Sequence, residues 1–146
     1  MNNKSLSSET LHVSSVAISG RAILISGRSG SGKSDLSLRL IDRGATLVSD
    51  DYTMVRRVEG QLLARAPENI EGKIEVRGVG VLEFKTTSNV PVCLMVDLDR
   101  DVERLPPERE TITIAGVEVP VIAANALEAS APVKVEAALR HFGLNP

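Results

Sequence analysis

Apolar and polar positions over the first third of the chain are arranged in patterns that predict two strands, a helix and a third strand. Residues 11–19 show a broken alternation, which indicates a half-buried strand with an irregularity near Ser14-Ser15. Residues 22–25 are a continuous apolar run, typical of a strand buried on both faces. Residues 33–43 carry leucines among polar residues, and this spacing favours a helix that ends at the following glycine.

A short strand at residues 46–49 follows the helix. Strand, glycine-rich loop, helix and strand form a βαβ unit, so we expect the two strands that flank the helix to be parallel, with a right-handed connection. The rest of the chain predicts mainly strands. Its elements are hairpins at residues 52–66 and 111–123, a strand at 91–98 and a helix at 131–142. The predicted fold class is therefore α/β, a mixed β-sheet with few helices, in one domain over residues 1–146.

Composition narrows the classes of protein that fit this pattern. Hydrophobic residues make up 42% of the 146 residues and charged residues 25%, as in ordinary globular domains. Two Phe, one Tyr, no Trp and a net charge of -2 argue against nucleic-acid binding. The chain has no apolar stretch of about 18 residues and its start is polar, so we expect a cytoplasmic protein without a membrane span. Cys93, the single cysteine, lies in an apolar run and is expected to be buried.

The connection between the strand at 22–25 and the helix matches the P-loop pattern G-x-x-x-x-G-K-[ST]. Its residues are Gly27, Arg28, Ser29, Gly30, Ser31, Gly32, Lys33 and Ser34. Glycines allow successive backbone N–H groups to point at phosphates, and the helix N-terminus adds positive potential. Lys33 is predicted to reach the β- and γ-phosphates, and Ser34 to place its hydroxyl on Mg²⁺. A glycine-rich turn can match by accident, but the strand-to-helix context makes this rare, so we predict nucleotide binding.

Asp50 and Asp51 end the strand at 46–49, at the edge of the sheet where α/β proteins assemble ligand sites. A carboxylate there can hold a Mg²⁺-bound water or accept the proton of an attacking hydroxyl. A solvated turn after a strand is the alternative, and the residues alone do not decide between them.

Four further residues are candidates of a weaker kind. Glu75 and Arg77 lie in a glycine-containing stretch that otherwise favours a strand, and can serve a metal and a phosphate or form an exposed ion pair. His12 is far from the loop in sequence, so a structural histidine is its default interpretation. Arg104, taken alone, would be interpreted as a surface charge.

Taken together, these motifs resemble the catalytic domain of HPr kinase/phosphorylase, the bacterial enzyme that phosphorylates a serine on HPr, the phosphocarrier protein of the sugar phosphotransferase system. The resemblance covers nearly the whole chain. It rests on the order of His12, the P-loop, Arg43-Gly44, residues 47–51 and residues 74–80, which are similar to the family's own signature.

The resemblance implies a fold like that of phosphoenolpyruvate carboxykinase and an ATP-dependent serine kinase that uses Mg²⁺. It implies that an aspartate of the Asp50-Asp51 pair takes the serine proton, with Asp51 favoured, and that Glu75 is a metal ligand beside Ser34. It further implies catalytic roles for the following residues: His12, Lys33, Arg77 and Arg104. The expected partner is HPr, and the expected assembly is a homo-oligomer, with a hexamer as the form known in the family.

Two departures from the family pattern affect function. Typical members carry an additional N-terminal domain that is not found in this sequence, although compact versions with the catalytic domain alone occur in some proteobacteria. The family also has a Pro-x-Arg-Pro-Gly-Arg-Asn segment linked to dephosphorylation, and residues 120–127 lack both arginines. Because Ala and Ile cannot replace the bidentate contacts of arginine with phosphate, this weakens the case for reverse phosphorolysis.

Two other functions fit the motifs less fully. One is a regulatory module that binds ATP and a partner but catalyses little, which substitution of Asp51 would distinguish from a kinase. The other is a small-metabolite kinase, which usually needs an arginine-rich lid that the sequence does not show. The phosphate donor, ATP or pyrophosphate, stays open.

Overall fold

The computed structural model describes residues 7–106 and 108–146, so most of the polar start of the chain lies outside the described residues. The elements follow in chain order. They are β1 (Ser8–Leu11), β2 (Val13–Ile18), β3 (Arg21–Ser26), α1 (Lys33–Asp42), β4 (Thr46–Ser49), β5 (Thr53–Val58), β6 (Gln61–Arg65), a 3-10 turn (Glu68–Ile70), β7 (Lys73–Val76), β8 (Gly80–Glu83), β9 (Val90–Asp97), β10 (Glu110–Ile114), β11 (Val117–Ala123) and α2 (Ala131–Phe142). No helix within these ranges is long and apolar enough to cross a membrane.

Nine of the described strands form one mixed sheet, which confirms the predicted fold class. Its main order is β1-β5-β6-β9-β3-β2-β4. Strand β9 is parallel to β3, and its last residues are also parallel to β11. Strands β7 and β8 form a separate two-stranded sheet.

The prediction that the two strands flanking the helix run in the same direction is confirmed. Strands β3 and β4 are each antiparallel to β2, so they run in the same direction, with β2 between them. The irregularity expected in the first strand is a register shift between Ser15 and Val16 in the pairing of β2 with β4. Both ends of the unit, and thus the P-loop and the Asp50-Asp51 pair, lie at the same edge of the sheet.

Two hydrophobic clusters cover the two faces of the sheet. Ile23 and Ile25 of β3 pack with Leu36 of α1 and Val135 of α2, whereas Leu24 packs with residues of β5, β6 and the β10–β11 hairpin. This division follows from the alternation of side chains along a strand. Burial of one Leu or Ile side chain contributes roughly 1.5–3 kcal/mol to the stability of the fold. Because β3 buries such side chains on both of its faces, packing on both sides holds the P-loop strand in place.

Residues 73–83 differ from the sequence expectation. The glycine-containing stretch around Glu75 and Arg77 was expected to favour a strand, but the chain reverses at Gly78, which has a φ of 83°, and the N–H of Val79 donates to the carbonyl of Val76 at 2.9 Å. A positive φ is readily adopted by glycine, so the glycines that weaken a continuous strand form a turn here. The result is a hairpin with Arg77 at its tip.

Candidate active site

The glycine-rich loop connects β3 to α1 and leaves little space for a side chain at two of its glycines. A Cβ atom at Gly27 would clash with Ser31 Oγ and lie 3.1 Å from Leu98 Cβ. Gly32, directly before α1, has a φ of 101°, and a Cβ atom there would lie 2.9 Å from Ala126 Cβ. The loop is therefore compact, and its backbone leads into the N-terminus of α1.

Lys33 is the first residue of α1 and is 6% exposed. Its Nζ donates to the carbonyl of Gly27 at 2.7 Å and to that of Arg28 at 3.3 Å. A buried ammonium group needs such partners, because an unpaired buried charge is very costly. The carbonyls at the start of the loop thus hold the Lys33 ammonium group against the loop backbone.

Asp50 is 9% exposed and accepts two hydroxyl hydrogen bonds. Its Oδ1 accepts from Ser34 Oγ at 2.7 Å and from Ser14 Oγ at 3.2 Å. The aspartate therefore links the start of α1 to β2, and its carboxylate lies next to the hydroxyl that the motif assigns to a metal.

Asp51 has a different environment from its neighbour. Its side chain is 52% exposed, and His12 Nε2 lies 2.8 Å from Asp51 Oδ1, donating in the tautomer with a proton on Nε2. The ring of His12 stacks on Tyr52, with centroids 4.7 Å apart. The backbone of Asp51 has a φ of 71°, and its N–H donates to Ser14 Oγ at 3.0 Å. The carboxylate is thus held in one orientation while it stays open to solvent.

One cavity of about 770 Å³ joins these parts with the β7–β8 hairpin. It is lined by Ser29, Gly30, Gly32, Lys33, Ser34, Asp35, Leu38, Asp50, Asp51 and residues 74–81. The structure therefore brings together nine predicted residues from three separate segments: Ser29, Gly30, Gly32, Lys33 and Ser34 of the P-loop, Asp50 and Asp51, and Glu75 and Arg77. The predicted loop residues Gly27, Arg28 and Ser31 do not line the cavity. His12 joins them through Asp51.

The structure does not place Arg104 at this cavity. It lies in the irregular segment between β9 and β10, is exposed, and does not line the cavity. Its catalytic role stays a prediction.

The chemistry of the site suits Mg²⁺ together with phosphate. No group of three or more His, Cys, Asp or Glu side chains in the described ranges is arranged to hold a metal. Mg²⁺ does not require such a cage, since it usually binds one or two carboxylates together with substrate phosphates and waters. The Ser34 hydroxyl bonded to the Asp50 carboxylate, with Glu75 in the lining of the same cavity, fits that mode of binding.

Sequence reasoning missed two residues of the site. Ser14 bonds both Asp50 and Asp51, and Tyr52 stacks on His12. The polar pair Ser14-Ser15 in an apolar strand was the available signal, but it was interpreted only as an irregularity. Tyr52 gave no signal beyond its position next to Asp51.

The segment in which the family's two arginines are missing lies against the P-loop. Ala126 Cβ limits the space at Gly32, and the guanidinium group of Arg39 in α1 donates to the carbonyls of Ala126 and Glu128. Cationic side chains on this segment would therefore be close to the loop. In the segment that corresponds to the arginine positions, Ala124 and Ala126 are buried, and Asn125 and Leu127 are exposed.

Comparisons with known proteins agree with this geometry. The family model described as "HPr Serine kinase C-terminal domain" matches residues 4–145. A protein of Clostridium beijerinckii named HPr kinase/phosphorylase is 37% identical over 121 residues, which is 75% of this chain and 40% of that protein. One of Brevibacillus brevis with the same name is 33% identical over 135 residues, 84% of this chain and 43% of that protein. The chain thus spans about two fifths of the length of these relatives.

A solved structure described as the Hpr(Ser) kinase/phosphatase from Coxiella burnetii is also similar. It superposes with a TM-score of 0.79 at 30% sequence identity and covers 90% of this chain and 94% of that one. The mixed-sheet fold predicted from the sequence is therefore confirmed by a related structure.

Proposed function

The chain belongs to the HPr serine kinase C-terminal domain family, and from this premise we propose that it transfers the γ-phosphate of ATP to a serine of HPr. The observation that carries the proposal is the cavity that joins the P-loop to Asp51, an exposed carboxylate oriented by His12. A protein that only binds nucleotide needs the loop but not the oriented carboxylate.

The P-loop side of the cavity is assigned to the phosphates of ATP. Backbone N–H groups of the loop and the N-terminus of α1 supply fixed positive potential, and Lys33 adds a full charge. Such groups are effective because they are already oriented when charge develops on the transferred phosphoryl group. Ser34 and Asp50 would hold Mg²⁺, with Glu75 as a further ligand, and the ion supplies neutralisation of phosphate charge.

Asp51 is assigned to the serine of the protein substrate. Phosphoryl transfer is largely dissociative, so the carboxylate mainly orients the hydroxyl and takes up its proton late. Because Oδ1 of Asp51 is engaged by His12, Oδ2 is the oxygen assigned to accept this proton. Arg77 at the hairpin tip is assigned to phosphate, and Arg104 is retained as a catalytic candidate on the resemblance alone.

Reverse phosphorolysis is proposed to be weak. Segment 124–128 lies against the P-loop but carries no arginine, so it offers no guanidinium for a second phosphate. A homo-oligomer of hexamer type is proposed on the family resemblance, and the cytoplasmic location stays a prediction from the sequence.

The test is transfer of labelled γ-phosphate from Mg-ATP to purified HPr of the same organism. We expect acid-stable label on a serine, a rate lower by about 10²–10³-fold in Lys33→Ala and by about 10²–10⁴-fold in Asp51→Asn. Glu118→Gln, an exposed carboxylate of β11 outside the cavity, serves as the matched control and should transfer at the normal rate. ATP binding without any transfer would refute the kinase proposal and favour the regulatory module.

A further inference from the structure

The peptide unit between Gly27 and Arg28 is held from both sides. Its carbonyl accepts the hydrogen bond from Lys33 Nζ at 2.7 Å, and its N–H donates to Asp99 Oδ1 at 3.2 Å. The described chain contains no cis peptide bond, so the carbonyl and N–H of this unit point in opposite directions. Asp99 and Lys33 therefore lie on opposite sides of one rigid group, and a rotation of that group would move both contacts.

Asp99 is itself fixed by the end of the central strand β9. Asp97 Oδ1 accepts the N–H of Asp99 at 2.9 Å, and Asp97 Oδ2 accepts Nε of Arg100 at 2.9 Å. Arg100 also pairs with Glu110 of β10. The N–H of Leu98 donates to the carbonyl of Ser26 at 2.8 Å, which ties this turn to the end of the P-loop strand. The backbone of Asp99 is thus placed by the sheet, and its partly exposed carboxylate reaches the Arg28 N–H from there.

The side chain of Arg28 does not explain this arrangement. Its Nε lies 3.4 Å from Asp99 Oδ1, but the side chain is 86% exposed. A solvated pair of this kind contributes little. The backbone N–H donates to the same Oδ1 at 3.2 Å, and this charge-assisted bond does not require a long, exposed side chain to be held in one conformation. The backbone bond is therefore the contact through which Asp99 acts on the loop.

We propose that Asp99 is a positioning residue that fixes the Gly27–Arg28 peptide, so that the Gly27 carbonyl holds Lys33 where the β- and γ-phosphates bind. This inference rests on the proposed function of the P-loop and extends it to a residue outside the motif. Asp99 does not line the cavity, and Lys33 bonds the carbonyls of Gly27 and Arg28 instead of Asp99, so Asp99 acts through one peptide group.

The first test needs no ligand. Amide hydrogen exchange at Arg28 is measured by NMR in the unmodified chain, in Asp99→Ala and in Asp99→Asn, whose amide oxygen can still accept. We expect exchange about tenfold faster in Asp99→Ala, with most of the protection restored in Asp99→Asn. Asp101→Ala, an exposed acid of the same segment, is the matched control and should not change it. Unchanged exchange in Asp99→Ala would overturn the proposal.

The second test asks whether the effect reaches Lys33. Because Lys33 is assigned to the β- and γ-phosphates and not to the α-phosphate, Asp99→Ala should weaken ATP about five- to tenfold in calorimetry and leave AMP affinity within about twofold. Equal losses for ATP and AMP would indicate general distortion of the loop and would overturn the proposal. Asp99→Asn should restore the ATP-to-AMP ratio.

These readouts separate the inference from the kinase proposal. If the unmodified chain binds ATP but does not phosphorylate HPr, the kinase proposal fails, while the ATP-to-AMP ratio still decides the role of Asp99. If it does phosphorylate HPr, Asp99→Ala should raise the KM for ATP with a smaller change in kcat. A change confined to kcat would count against positioning of the bound phosphates.

Discussion

The two sides of the cavity are built in different ways. The P-loop side joins β3, α1 and β4, and its charged groups Lys33 and Asp50 are buried and hydrogen-bonded. The opposite side is the β7–β8 hairpin, a separate two-stranded sheet. There, Ile74 is 1% exposed, whereas Val79 at the tip is 68% exposed.

This difference separates preorganised from adjustable parts of the site. A hairpin of two strands is marginally stable on its own, so β7–β8 depends on the packing of Ile74 beneath it. Elements with few buried contacts open locally at low free energy, whereas strands of a central sheet open only on global unfolding. We therefore expect Lys33 to be fixed before substrate binds, and Glu75 and Arg77 to settle when it is present.

The largest expected effect on ligand binding compares glycines on the two sides. Gly32 and Gly78 both have positive φ, but an added Cβ meets Ala126 at Gly32 and open space at Gly78. Gly32→Ala combines backbone strain with a clash, together about 3 kcal/mol, and should weaken ATP binding about hundredfold in calorimetry. Gly78→Ala carries the backbone strain alone, about 1–2 kcal/mol within the hairpin, and should weaken ATP less than tenfold. Equal losses would mean that the two sides are equally rigid.

The next effect compares two buried isoleucines by stability. Ile23→Ala, in the P-loop strand, and Ile74→Ala, in the hairpin, each remove a fully buried side chain at a cost of about 2–5 kcal/mol. For Ile23→Ala we expect the whole loss in global unfolding by urea. For Ile74→Ala we expect a smaller global loss, but faster native-state amide exchange confined to residues 73–83. Uniform exchange changes in both variants would show that the hairpin unfolds together with the main sheet.

The same contrast explains which parts of the fold could be predicted. Strand β4 and helix α2 were predicted with their observed ends, because apolar spacing and capping residues are local signals. The β7–β8 hairpin was missed, since charge and glycine obscured two short strands. Strand order was also beyond reach, because β9 takes partners from β3, β6 and β11, which are far apart in sequence.

Prediction of the site was limited in the same way, by contacts between residues that are far apart in sequence. The P-loop is contiguous and could be found directly, whereas the separate environments of Asp50 and Asp51 depend on Ser14, in a strand 36 residues earlier. Asp99 belongs to no motif in the sequence, and only the structure brings it to the Arg28 N–H. Neighbours across a sheet leave no mark in the local pattern, so contacts of this kind cannot be predicted from one sequence.

The smallest perturbation compares the two sides by the rate at which a thiol on each side is labelled, and it leaves the proposed catalytic residues unchanged. Cys93 of β9 is fully buried, and burial raises the pKa of its thiol, so it should react with a thiol reagent only through global unfolding. A thiol introduced by Val79→Cys at the exposed tip should react at once. Because burial raises the pKa of the Cys93 thiol, its contribution to stability is fully present below the ordinary thiol pKa and is lost as the pH rises above it. Cys93 labelling should therefore accelerate up to about pH 9 through thiolate formation in the unfolded chain, and beyond about pH 9 through easier unfolding. Labelling of Cys93 as fast as that of position 79 would show that the P-loop side also opens locally, and the contrast between the two sides would fail.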